Sequence, residues 1–239
     1  MKILLTNDDG YNSTGINLLY NKLKKYGDVI ILAPENVMSA KSTSITLGVG
    51  HELKKIRDDC YSFSGTPADC VAFALSMLNI DFDLVVSGCN DGWNISYDIN
   101  YSGTIGACTQ ALIYRVPTIA FSCEHNFDLV DKEFDKVFDY LIKNNLLDHH
   151  YILNVNFPDS KEIKDIKLSH IFYREAKTFY KETKDGFLAS RTLDDSYKEE
   201  IDTDVYLVHH ECVSIVPLGR TSFDVEAYNI LKKKLGLQK

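Results

Sequence analysis

No run of about 18 apolar residues occurs anywhere in the 239-residue chain, which excludes a membrane-spanning helix. No basic segment leading into an apolar one opens it either. Met1-Lys2 runs straight into a short apolar stretch that ends at Asn7, so no secretion signal is expected. Positive charge is scarce: Lys and Arg number 26 against 34 Asp and Glu, a formal net charge of −8. A surface of that sign suits neither a nucleic-acid duplex nor a membrane. It still admits a small anionic substrate where a metal ion supplies local positive charge. Cysteine spacing is uninformative, because Cys60, Cys70, Cys89, Cys108, Cys123 and Cys212 form no CxxC pair and no zinc-finger pattern. Without a secretion signal these are expected as reduced, buried thiols of a cytoplasmic protein.

Several catalytic fingerprints are missing as well. Gly48 and Gly50 begin a GxGxxG spacing, but Leu53 stands where the third glycine belongs. There is no GxxxxGK[ST], no HExxH and no GxSxG. The histidines at 149-150 and 209-210 are adjacent pairs, and neighbours on a helix or strand point in different directions, so neither pair is expected to share a metal. What remains is an ordinary globular balance, 45% hydrophobic and 25% charged. A chain of this length buries about 70–75% of its unfolded surface without disulfides.

Over roughly the first 125 residues apolar runs alternate with helical patterns, which predicts an α/β fold with a mostly parallel sheet. Lys2–Thr6 reads as a buried strand. Ser13 caps a helix with Ile16, Leu19, Tyr20 and Leu23 on one face, and Gly27 is expected to end it in a left-handed conformation. Val29–Ala33 is a second strand, followed by a polar loop from Glu35 to Ser44. Thr66 and Pro67 open a helix with Val71, Ala74, Leu75 and Leu78 inward. Leu84–Val86 is a strand, and Ser87–Ser102 a long Gly- and Asn-rich loop. Ser102 caps a helix to about Tyr114, before a strand at Thr118–Phe121. Asp131–Asn145 is a helix with Phe134, Val137, Phe138, Leu141 and Ile142 on one face, and Tyr151–Val155 a strand.

After Pro158 the rhythm changes. Residues from Ile163 to Asp204 mix short alternating runs with charge clusters, and read as an extended arm. Its aromatic and apolar residues, Phe172, Tyr173, Phe179, Tyr180, Phe187, Leu188 and Tyr197, have no sustained helical period, which predicts pairing with another copy of the chain. A hairpin packed on its own domain is the alternative. Val213–Val216 is a last strand and Asp224–Leu235 a closing helix. The whole reads as one domain, residues 1–239, with the arm inside it.

The chemistry gathers where strands end, which is where doubly wound sheets bind ligands. Asn7-Asp8-Asp9-Gly10 follows the first strand, and two successive carboxylates repel unless a cation joins them. The competing reading is a turn in which one of them caps the next helix. The stretch Ser87-Gly88-Cys89-Asn90-Asp91-Gly92-Trp93-Asn94 offers small residues and Asn carbonyls that can ligate a hard cation. Ser39, Ser42, Thr43 and Ser44 offer hydroxyls. Helix N-termini at Gly65-Thr66-Pro67 and Ser102-Gly103-Thr104 offer backbone N–H groups to an anion. Hard oxygen ligands beside anion-binding helix ends point to phosphate chemistry.

These residues resemble a known family. NDDG at Asn7–Gly10, Ser39, GTPADC at Gly65–Cys70, SGxNxGxN at Ser87–Asn94, YSGT at Tyr101–Thr104 and VSIVPL at Val213–Leu218 are similar, in order and spacing, to the SurE (survival protein E) nucleotidases. The resemblance implies a Rossmann-like three-layer sandwich, an extended C-terminal β arm used in homodimers or homotetramers, and hydrolysis of nucleoside 5′- or 3′-monophosphates, with polyphosphate cleaved by some members. It implies one divalent metal ion per subunit, held by Asp8, Asp9, Ser39 and Asn90, with Asp8, Asp9 and Asn90 catalytic. Asn94, Ser102, Gly103 and Thr104 would hold the phosphate. An all-oxygen ligand set suits Mg²⁺ or Mn²⁺ better than Zn²⁺, and the ion would polarise a phosphoryl oxygen and orient or activate a water. Ala40 and Ser96 stand where the family often has Gly, so backbone freedom around the pocket is expected to be narrower. The other class of function is a Mg²⁺-dependent nucleotide-sensing or receiver-like module. That needs a third Asp at a neighbouring strand end, where this sequence has Ser87.

Overall fold

A computed structural model describes residues 1–173, 176–193, 200–219 and 225–234. Its centre is a nine-stranded sheet in the order β3-β4-β2-β1-β5-β6-β7-β11-β8. In chain order these are β1 (Lys2–Thr6), β2 (Asp28–Pro34), β3 (Leu53–Arg57), β4 (Cys60–Phe63), β5 (Leu84–Asp91), β6 (Thr118–Cys123), β7 (Tyr151–Asn156), β8 (Asp165–Leu168) and β11 (Cys212–Gly219). Pairing is parallel except between β3 and β4 and between β7 and β11. The remaining two strands, β9 (Ala176–Thr183) and β10 (Gly186–Leu193), form a separate antiparallel hairpin.

Helices cover both faces. On one side α1 (Thr14–Leu23) and α4 (Phe127–Lys143) pack on Ile3, Leu5, Val86 and Phe121. On the other, α2 (Pro67–Met77) and α3 (Gly103–Ile113) cover Leu4, Leu32 and Val85. Alternation along β1 explains the split, since Ile3 and Leu5 point to one face and Leu4 to the other. Two further helices are α5 (Asp204–His209) and α6 (Val225–Lys234), and a single 3-10 turn spans Ser96–Asn100.

Most sequence expectations meet their elements, and the differences have local causes. Gly27 does not end α1. The cap is Lys24, in a right-handed conformation, and Gly27 is small because a Cβ there would sit 1.9 Å from the Met1 carbonyl oxygen. Helix α4 begins at Phe127, capped by Asn126 and ahead of the expected Asp131, and Ile142 lies outside its buried face. Strand β5 runs on through Asn90 and Asp91, residues expected in a loop, after a break in its pairing with β6 between Ser87 and Asn90. Gly88 makes that break with φ +126°, where a Cβ would meet the Phe121 carbonyl oxygen at 2.2 Å. Strands β3 and β4 and helix α5 had no signal strong enough to read. The stretch from Ile163 to Asp204 is not uniform, because β8 joins the main sheet while β9 and β10 form a sheet of their own. Tyr197, Asp224 and Leu235 lie outside the described residues.

The chain goes from β1 outward to β2 and β4, then returns to β5 on the other side of β1. That reversal opens a crevice beyond the carboxyl ends of β1 and β5.

Candidate active site

The turn after β1 is folded by Asn7. Its Oδ1 accepts the Gly10 N–H at 3.1 Å, and its Nδ2 donates to the Gly10 carbonyl and to Ser13 Oγ at 3.0 and 2.8 Å. Ser13 in turn caps α1. The turn and the cap are therefore made without Asp8 or Asp9, and both carboxylates are left for other work.

Asp8 is 5% exposed. Thr104 Oγ1 donates to its Oδ1 at 2.7 Å, and the Gly103 N–H reaches the same carboxylate. Burial, partly offset by Thr104 and reinforced by Asp9, pushes its carboxyl up to about 6. Burial also raises Asp9, against the Asp91 N–H that holds it, and the Asp91 carboxylate adds repulsion. No cationic side chain among the described residues contributes to either shift. Two crowded carboxylates without a cation make a donor set that fits a hard divalent ion.

Three further segments close on this pair. The Met38 N–H donates to the Asp8 carbonyl at 2.7 Å, which brings Ser39 to the crevice. Asn90, at the end of β5, donates its Nδ2 to the Gly92 carbonyl at 2.7 Å, while its Oδ1 lies 3.3 Å from Thr104 Oγ1. Helix α3 abuts Asp8 so closely that a Cβ on Gly103 would sit 2.9 Å from Asp8 Cβ. A cavity of about 470 Å³ results, lined by Asp8, Asp9, Ser39, Asn90, Asn94 and Ser102 among others. Its size is that of a small-molecule site.

Of the residues expected to hold phosphate, Asn94 and Ser102 line this cavity, whereas Gly103 and Thr104 stand behind it and support Asp8. Ser102 Oγ caps α3 through the Ile105 N–H at 3.1 Å. The other expected anion site, at the start of α2, is already filled: Asp69 accepts the N–H groups of Thr66 and Thr46, and Thr66 accepts that of Asp69.

Sequence reasoning missed the residues that hold Asn94. Asn156 on β7 grips its backbone at both ends, accepting the Asn94 N–H at 2.9 Å and donating to its carbonyl at 3.2 Å. Asn154 donates to the same carbonyl at 2.8 Å, and Asn94 Nδ2 donates to Ser122 Oγ at 2.8 Å. All four side chains are buried. The signal was available, since Asn154 and Asn156 share one face of an otherwise apolar strand. Asp204 left no comparable trace. It is fully buried and accepts the Ser96 N–H at 2.8 Å and the Phe172 N–H at 2.9 Å. Ala40 and Ser96 both adopt positive φ, 58° and 53°, a conformation that suits glycine.

Away from the cavity, His149 and His150 lie in a bend before β7 with ring centroids 4.1 Å apart. The divergence expected of adjacent histidines on a regular element does not hold there. With Asp148 they bring three ligand atoms within 4.8 Å of one another.

A family model described as Survival protein SurE matches residues 3–178. A 5′-nucleotidase SurE of Clostridium botulinum (strain ATCC 19397 / Type A) is 38% identical, over 98% of this chain and 97% of its own. Another 5′-nucleotidase SurE, from Clostridium beijerinckii, is 36% identical over 97% and 96%. The crystal structure of the SurE protein from Aquifex aeolicus superposes with a TM-score of 0.84 at 32% identity, covering 98% of this chain and all of that one.

Proposed function

The chain belongs to the survival protein SurE family, and on that premise we propose that the crevice beyond β1 and β5 is where it hydrolyses nucleoside 5′-monophosphates to nucleoside and phosphate. It is a metal-dependent nucleotide monophosphatase. The observation that carries the placement is the buried Asp8 beside the half-buried Asp9, both lining the cavity, with no cationic side chain among the described residues to offset them. Nothing in the fold or among the relatives favours a receiver-like sensor.

Asp8, Asp9, Ser39 and Asn90 would hold one divalent ion, Mg²⁺ or Mn²⁺. A bound ion would supply Lewis acidity toward the phosphoryl oxygens. The chain's own residues do the positioning. Thr104 and Gly103 fix the Asp8 carboxylate, and the Asp91 N–H fixes that of Asp9. Asn94, its backbone clamped, has one amide hydrogen left after Ser122 to offer a phosphate oxygen. Ser102 lines the cavity beside it, with Gly103 and Thr104 completing the phosphate end from behind Asp8. Nucleoside 3′-monophosphates and short polyphosphate are secondary substrates in this reading.

The chain works as a single domain, and the β9–β10 hairpin joins copies into a homodimer or homotetramer. Its tip supports this, since Tyr180, Phe187 and Leu188 are 60–74% exposed. A cytoplasmic setting suits six free, buried cysteines, and no described helix is long and apolar enough to cross a membrane. The deciding experiment is phosphate release from a panel of 5′- and 3′-mononucleotides and polyphosphate with each metal in turn. Release from 5′-mononucleotides only when Mg²⁺ or Mn²⁺ is added supports the reading. Release that survives complete chelation overturns it.

A further inference from the structure

The phosphate end of the cavity does not fill it. The same 470 Å³ space is lined by Thr178 of β9 and by Ala189 and Ser190 of β10, strands that share no ladder with the main sheet. We infer that the β9–β10 hairpin is the wall that receives the nucleoside portion of the substrate and sets selectivity for it, an inference that rests on the nucleotidase reading above.

The register defines the surface. Ala189 pairs with Tyr180, and Thr178 is two residues along the same strand from Tyr180, so Thr178 and Ala189 lie on one face of the hairpin. That face offers a hydroxyl beside a methyl group. The first can hydrogen-bond a sugar or base, and the second leaves room for a ring to approach. A phosphate held at Asn94 and Ser102, beside the residues that would hold the ion, has its ester substituent left to occupy the rest of the space, and the hairpin is part of what bounds it.

A two-stranded hairpin alone is marginally stable in water, so its place over the cavity must be fixed at its root. Asp204 does this. One carboxylate holds the Ser96 N–H, in the segment that follows Asn94, and the Phe172 N–H, four residues before β9. Beneath them Ile95, Val205 and Val208 form a small apolar cluster with Trp93 and Phe172 against it. The rings of Tyr97 and Tyr173 meet at 4.9 Å. One buried carboxylate thereby ties the segment that carries Asn94 to the segment that leads toward the wall.

Two variants test this in the full-length, metal-loaded protein. Thr178→Ala removes the hydroxyl, and Ala189→Leu fills the space a ring would take. Each is assayed on a nucleoside 5′-monophosphate and on ribose 5-phosphate, which lacks the base, with inorganic phosphate as a competitive inhibitor that reports the phosphate end alone. KM for the nucleotide should rise about fivefold in Thr178→Ala, the loss of one net hydrogen bond. In Ala189→Leu it should rise roughly tenfold or more. Ribose 5-phosphate should be affected less than the nucleotide in Ala189→Leu, and the inhibition constant for inorganic phosphate should stay within twofold in both. Unchanged nucleotide KM in both variants overturns the inference, as does an equal loss for phosphate, which would mean the wall only supports the phosphate end. A wild type that hydrolyses neither ester fails the nucleotidase reading itself, and the inference falls with it.

Discussion

The carboxyl edge of the main sheet and the β9–β10 hairpin face each other across one cavity, yet they are held in place by different means. Asp8, Asn90 and Asn94 sit at the ends of, or just beyond, strands laddered on both sides, and each is positioned by buried neighbours. Thr178 and Ala189 sit on a two-stranded ribbon that shares no ladder with the main sheet. Chemistry that tolerates no misplacement belongs on the first kind of support, because a shift of about 1 Å can cost 100-fold in rate. Selectivity tolerates more, and a ribbon can vary its surface without disturbing the sheet. The lesson is a division of labour between a rigid edge and a replaceable wall.

The sharpest way to break that contrast is at the carboxylates. Asp8→Asn or Asp9→Asn should lower turnover at limiting metal by about 10–100-fold or more, since even residues that only support metal ligands cost that much. Phosphate release from a 5′-mononucleotide measures it, and wild-type rates in both variants would end the metal-site reading. Asn90→Ala comes next, with activity down about tenfold. Stability should drop by only about 0.5–1.5 kcal/mol for the lost bond to Gly92, read by urea denaturation. Full activity in this variant would assign Asn90 to the turn and not to the ion.

Asn156→Ala probes the support and not the reacting groups. It leaves the buried Asn94 N–H unsatisfied, at about 1–3 kcal/mol, or a Tm lower by roughly 2–12 °C at this chain length. Its kcat should fall while metal affinity, followed by calorimetry, stays put. Metal binding that falls in step would mean that the two halves of the site are not independent.

Deleting residues 177–195 removes the ribbon alone. Light scattering should show a shift toward monomer, and the metal isotherm should be unchanged. An unchanged oligomer, or a wild type already monomeric at micromolar concentration, overturns the arm. The smallest effect is expected at Ala40, where positive φ makes glycine the easier residue. Ala40→Gly should raise stability by up to about 1 kcal/mol, seen as a small rise in Tm, and a fall would show that the side chain contributes packing.

Periodicity and caps made the βα rhythm of the first half readable. Ser13, Thr66 and Ser102 all cap the helices expected of them because an N-cap is settled by residues within one turn. The continuation of β5 through Asn90 was not readable, because a Gly- and Asn-rich stretch has loop propensity and only its pairing with Ser122 and Cys123 on β6 overrides it. The arm was legible as a departure from rhythm, yet not that β8 would return to the sheet beside β11.

Residue order along the chain is enough to mark which groups could do the chemistry: adjacent carboxylates after the first strand, an Asn-bearing stretch after another, and the motif order shared with the SurE family. Local rules suffice for that, since strand ends, caps and turns are decided by neighbours in the chain. Which of those groups meet, and what keeps them there, is settled by contacts between distant parts of the chain. Thr104 reaches Asp8 across 96 residues, Asn156 grips Asn94 across 62, and Asp204 joins Ser96 to Phe172 across 108 and 32. Such contacts come from burial of polar groups that must find partners once water is excluded, and no local pattern encodes which partner lies within reach.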